Sequence, residues 1–223
     1  MLPSPAHRLR LAALLGGWIA ALLVVRIGLT GSPFGLFLAW NLVLAAVPLV
    51  ASTALVRLDA RRAPVPALLA LGAVWLLFLP NAPYLLTDLV HLAHRPPVPF
   101  AFDLGLLLSA AGTGLLSGYV SLADVQGVVA HRLGARLAGA FAAGALFLSA
   151  FGIYLGRDLR WNSWDVVTAP GVLLSDVAER LLDPLAHPGT VATTLVYGGM
   201  LTLGYVVLRA LAAPAQAPST RAA

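Results

Sequence analysis

Val65–Leu79 reads VPALLALGAVWLLFL, with no charge in fifteen residues, and Pro80-Asn81-Ala82-Pro83-Tyr84-Leu85-Leu86-Thr87-Asp88-Leu89-Val90-His91 follows directly. The apolar run has the composition of a membrane helix but not the length. At about 1.5 Å per residue it covers ~22 Å, short of the ~30 Å hydrocarbon core of a bilayer. Two prolines three residues apart then remove amide donors and leave carbonyls without partners. Such an interruption survives at bilayer depth only where protein or water satisfies the freed groups. The stretch predicts a helix that breaks at Pro80 and restarts, with Asn81 as its N-cap and Pro83 in the first turn.

Five further apolar stretches flank it: Leu9–Leu29, Phe34–Val56, Phe102–Leu122, Leu137–Leu155 and Val191–Leu211. Each has roughly the 20 residues that cross a bilayer core. The whole chain is 60% hydrophobic and 10% charged, where a soluble domain carries about 25% charged residues. Mean hydropathy is +0.89. The expected fold is therefore all-α: a polytopic membrane protein of about six transmembrane helices, the third broken. Residues 1–211 form one integral-membrane domain in this reading, and 212–223 a small, polar, Pro-containing tail that stays disordered. His7, Arg8 and Arg10 precede the first span, but no small-residue cleavage site follows it, so it is expected to remain as an anchor helix.

All fourteen basic residues are arginine. They sit at helix ends and form no basic stripe, so nucleic acid is not an expected partner. With the N-terminus inside, nine arginines (Arg8, Arg10, Arg57, Arg61, Arg62, Arg132, Arg136, Arg209 and Arg221) fall on one side and five on the other. The positive-inside rule then places both termini in the cytoplasm, and the expected location is an inner membrane. The chain has no cysteine, which excludes thiolate metal sites and disulfides.

That topology puts two polar segments on the same outer face: Asn81–His91, and Gly156-Arg157-Asp158-Leu159-Arg160-Trp161-Asn162-Ser163-Trp164-Asp165. Ionisable groups at a membrane edge call for partners or a task. On a helix, Tyr84, Asp88 and His91 share a face, and Asp88 with His91 could move a proton. Asp88, His91, Asp103 and Asp165 are the catalytic candidates. Asn81, Tyr84, Arg157, Arg160, Trp161, Asn162 and Trp164 are the binding candidates: arginines suit a phosphate, and tryptophan faces suit a headgroup or a cation. Alternatively Arg157 or Arg160 neutralises Asp88 or Asp103, or the tryptophans simply anchor at the interface. His94, Asp103, Asp158 and Asp165 could join Asp88 and His91 around a metal, but no two-histidine signature is present; no metal site and no cofactor is expected.

In the fourth span, Ala110, Gly114 and Gly118 make a small-residue stripe for close helix approach, beside Ser109, Thr113 and Ser117. Asn41 in the second span is expected to bond a neighbouring helix. Val172–Asp183 is amphipathic, with Leu174, Val177, Ala178, Leu181 and Leu185 on one face. It should lie on the outer membrane surface or cover the site.

The motifs Leu79-Pro80-Asn81-Ala82-Pro83-Tyr84, Thr87-Asp88-Leu89, Phe102-Asp103, Gly156-Arg157 and Leu159-Arg160-Trp161-Asn162-Ser163-Trp164-Asp165 resemble those of domain-of-unknown-function family 1361. The likeness covers roughly Leu22 to Tyr205 and implies a bacterial multi-pass membrane protein. Asp158 stands where that pattern has an apolar residue, which argues against Asp158 as a functional group. The resemblance implies no activity. Three readings follow: a site for a phosphate-bearing lipid or headgroup (in an enzyme, with Asp88 or Asp165 as base), an assembly subunit docking another membrane protein, and a small transporter. The bilayer is the one partner that all three share.

Overall fold

The computed structural model describes residues 5–93 and 97–212. His94, Arg95 and the expected tail from residue 213 lie outside the described residues. Among the described residues nine α-helices follow in chain order: α1 (Pro5–Thr30), α2 (Leu36–Ala60), α3 (Val65–Phe78), α4 (Asn81–Tyr84), α5 (Phe100–Leu133), α6 (Ala135–Arg157), α7 (Asp165–Thr168), α8 (Pro170–Leu182) and α9 (Pro188–Leu211). A 3₁₀ segment, Thr87–His91, follows α4, and no strand occurs among the described residues. Six helices are long and apolar enough to cross a membrane, with α3, α4 and the 3₁₀ turn together making the third. The protein is an all-α, multi-pass membrane protein.

The long, small-residue-rich α5 sits centrally and packs against α1, α2, α4 and α6, while α9 packs on α6. Its 34 residues run to Leu133, well past the expected end at Leu122. Polar residues made the final turns read as a loop, but each has a partner. Asp124 pairs with Arg8 and accepts the Ser52 hydroxyl at 3.2 Å. Gln126 accepts the Tyr205 hydroxyl at 2.6 Å and donates to the Ala138 carbonyl at 3.3 Å. Gly134, at φ 92°, is the single residue that turns the chain into α6.

Two ion pairs, one part-buried and one buried, tie the weakly covered α1 to α5, one near each end. Arg8 holds Asp124 at one end. At the other, Arg26 Nε lies 2.7 Å and Nη2 3.2 Å from the two Asp103 carboxylate oxygens. Arg26 is 1% exposed and Asp103 2%. The guanidinium also donates to the Phe34 carbonyl and stacks over the Phe34 ring at 4.4 Å.

The small-residue stripe of α5 seats α4. A Cβ at Gly114 would strike the Ala82 carbonyl oxygen, and one at Gly118 would lie 2.9 Å from the Ala82 Cβ. From the opposite side, a Cβ at Gly152 of α6 would lie 2.5 Å from Pro80 Cγ. The broken segment therefore runs through a slot cut by three glycines.

Candidate functional site

The third span is interrupted at the prolines, but it does not restart with a free helix N-terminus. Leu79, Pro80, Leu85 and Leu86 all keep right-handed helical dihedrals. The hydrogen-bond ladder shortens instead, with Ala82 N–H to Leu79, Leu86 N–H to Pro83 and Asp88 N–H to Leu85 all of 3₁₀ type. Asn81 makes no N-cap bond. Its amide nitrogen turns back to donate to the Phe78 carbonyl at 3.0 Å and to Ser163 Oγ at 2.9 Å. Ser163 in turn donates to the Leu77 carbonyl at 3.3 Å. Two carbonyls at the break, Leu77 and Phe78, thus find donors in two side chains, one from each polar segment.

This repair brings the segments together. Between α2, α3, α4, α6 and the 156–163 turn lies a cavity of about 250 Å³. Leu44, Leu76, Leu148, Phe151 and Leu155 form its apolar body; Trp40, Asn41, Asn81, Tyr84, Trp161, Asn162 and Ser163 supply its aromatic and polar wall. No charged side chain among the described residues lines it. Gly156 is small where the Tyr84 ring passes: a Cβ there would lie 3.3 Å from Tyr84 Cε2. Leu173 of α8 closes part of one side, and Trp161 donates its indole N–H to Asp176 of α8 at 2.8 Å. That helix turns Asp176 and Arg180 partly inward and leaves Leu174 and Leu181 exposed, and Leu185, in the turn after it, is also exposed. An outward apolar face at the bundle's rim suits a helix lying against lipid.

Of the binding candidates, Asn81, Tyr84, Trp161 and Asn162 line this cavity. Trp164 stands behind it, its ring 6.1 Å from that of Trp40. Arg157 and Arg160 lie in the turn between two lining residues, Gly156 and Trp161. Arg160 is exposed and held at φ 62°, an uncommon backbone conformation for a residue with a side chain.

The catalytic candidates are not gathered. Asp88 is 2% exposed and accepts a 3.0 Å bond from Asn41 Nδ2, so it touches the cavity only through that asparagine; His91 and Arg157 are its charged neighbours. His91 is exposed, its ring edge-on to Phe37 at 5.1 Å. Thus Tyr84 faces α6 while Asp88 faces α2, and the shared helical face of Tyr84, Asp88 and His91 is divided by the 3₁₀ turn. Asp103 is paired with Arg26, in place of Arg157 or Arg160. Asp165 braces its own turn, accepting the Asn162 backbone N–H at 2.7 Å, the Asn162 amide at 3.3 Å and the Thr168 hydroxyl at 3.0 Å. Chiefly because of that backbone bond, its carboxyl is held below the usual carboxylate range. Among the described residues no three His, Asp or Glu side chains cluster as a metal site would require.

The model of the family described as "Protein of unknown function (DUF1361)" matches residues 40–203. The chain belongs to the DUF1361 family. No curated protein and no solved structure matches it. The DUF1361 match is narrower than the expected Leu22 to Tyr205 and leaves out α1 with Arg26. It includes every residue that lines the cavity.

Reading the sequence alone missed four contributors: Trp40, Ser163, Arg26 and Asp176. Arg26 had a usable signal, since an arginine inside an apolar helix needs a buried acid. Ser163 had none, because its role depends on where the 156–163 turn meets α3.

Proposed function

We propose that this is an inner-membrane protein of bacteria, with both termini cytoplasmic, whose outer-face cavity binds a phosphate-bearing lipid. The observation that carries the reading is the cavity's composition. An apolar body large enough for part of a chain opens toward a polar aromatic wall, and two arginines lie in the turn beside that wall. Leu44, Leu76, Leu148, Phe151 and Leu155 would surround the chain. Arg157 and Arg160 would meet the phosphate, since planar guanidinium donors fit its oxygens in pairs. The leucine face of α8 would dip into the same leaflet, so that lipid reaches the cavity from the side.

The two acids read as possible bases are both engaged, Asp88 behind Asn41 and Asp165 in its own turn, which favours binding over acid–base chemistry. The direct test is native mass spectrometry of the purified protein with polyprenyl phosphate and with the corresponding alcohol. Retention of the phosphate alone, lost in Arg157→Gln/Arg160→Gly, is expected. Equal retention of phosphate and alcohol in the wild type would remove the reading.

A further inference from the structure

The three asparagines of the cavity wall share a property that their identity alone does not reveal. Asn81 spends both amide hydrogens, on the Phe78 carbonyl and on Ser163. Asn41 commits its nitrogen to the Asp88 carboxylate and Asn162 commits its own to the Asp165 carboxylate. A carboxylate or carbonyl partner admits only the nitrogen end of an amide, so none of the three can be flipped without breaking its bond. What each then presents is its oxygen, and among the described residues none of these oxygens has a donor. Ser163 is likewise spent, accepting from Asn81 and donating to Leu77.

The amide oxygens call for hydrogen-bond donors and repel phosphate, which is left to Arg157 and Arg160 in the turn beside the wall, outside the lining. The aromatic rings around it, Trp40, Tyr84 and Trp161, offer flat apolar faces. Uncharged acceptors beside aromatic platforms suit one kind of group best: a ring whose edge carries hydroxyls and whose face carries C–H bonds.

We infer that the cavity recognises a glycosyl headgroup, so that the ligand is a lipid phosphate bearing a sugar, with the sugar against Asn41, Asn81 and Asn162 and the phosphate outside at the arginines. This rests on the lipid-phosphate reading above and sharpens it, because it assigns the phosphate and the cavity to different parts of the ligand. A site built to bond hydroxyls discriminates strongly against an analogue that lacks them, since its own buried polar groups are then left unpaired.

The test uses the full chain in phosphatidylcholine nanodiscs with three probes: polyprenyl phosphate, polyprenyl phosphate carrying a hexose, and a short alkyl glucoside. The hexose-bearing lipid should bind at least about tenfold tighter than the bare phosphate, a difference of ~1.4 kcal/mol. Asn162→Ala, at an exposed position, should erase that preference. Alkyl glucoside should compete with the hexose-bearing lipid in the wild-type protein, a readout that needs no variant. Equal affinity for the two lipids, without competition by the glucoside, would overturn the sugar pocket and leave the lipid-phosphate reading standing. Glucoside binding with no binding of either lipid would do the reverse.

Discussion

The two polar segments meet at one cavity and use their hydrogen-bonding groups in opposite ways. Asn81–His91 is wedged among α2, α5 and α6, and the fold engages Asn81, Thr87 and Asp88, with His91 exposed at its end. Asn81 mends a broken helix, Thr87 donates to the Tyr84 carbonyl at 2.7 Å, and Asp88 is buried against Asn41. Gly156–Asp165 is a turn braced by its own Asp165, with Arg160 exposed and Arg157 half-buried as a charged neighbour of Asp88. Polar residues in a membrane protein are therefore better read by what they already hold than by their chemical type. The buried segment should answer substitution with lost stability, and the exposed one with lost binding.

The largest effect should come from the buried charge that stands with the first group. Asp103→Leu leaves Arg26 unpaired, and thermal unfolding in detergent should show a loss of about 3–5 kcal/mol. Adding Arg26→Leu should recover most of it, which would identify the unpaired charge as the cause. Next comes the glycine slot. Gly114→Val drives a side chain into the Ala82 carbonyl and should cost ~1–3 kcal/mol or abolish folding. Arg160→Gly, which relieves a left-handed backbone, should leave the midpoint unchanged or raise it. If both variants behaved alike, the contrast between the segments would fail.

Smaller still is the coupling that joins them. A double-mutant cycle of Asn81→Ala and Ser163→Ala should give about 0.6 kcal/mol, typical of hydrogen bonds between membrane helices. A value near zero would mean that the repair of the proline break does not need both partners. The smallest effect concerns pH. Because the folded Asp165 carboxyl titrates below its unfolded value, its bracing of the turn is complete above the ordinary carboxylate range. It is lost as pH falls through the depressed value. The Asn162 amide resonance should hold steady from neutral to mildly acidic pH and move only in stronger acid, whereas Asp165→Asn should flatten the profile.

Helix count, the interrupted third span and the amphipathic α8 were legible because each is a local pattern. Charge-free runs, paired prolines and a helical repeat of leucines carry their meaning within a few turns. The small-residue stripe was legible as a packing surface, but its cargo, the broken segment itself, was not. What stayed hidden depends on partners far away in the chain. Arg26 and Asp103 are 77 residues apart, and Asn81 and Ser163 are 82 apart. The extension of α5 to Leu133 was hidden for the same reason: Asp124 and Gln126 look like loop residues until Arg8, Ser52 and Tyr205 are in place. Face arithmetic on an ideal helix failed at Tyr84, Asp88 and His91, because the 3₁₀ turn changes the angular step between them.

The absence of native cysteine makes Asn162→Cys a unique thiol on the cavity wall. Its alkylation by a membrane-impermeant maleimide, measured in intact cells and then in vesicles with and without polyprenyl phosphate hexose, tests the central claim most directly. The account predicts labelling from outside the cell and protection by that lipid, with no protection by the polyprenyl alcohol. Labelling only after permeabilisation, or labelling from outside that no lipid slows, would contradict it.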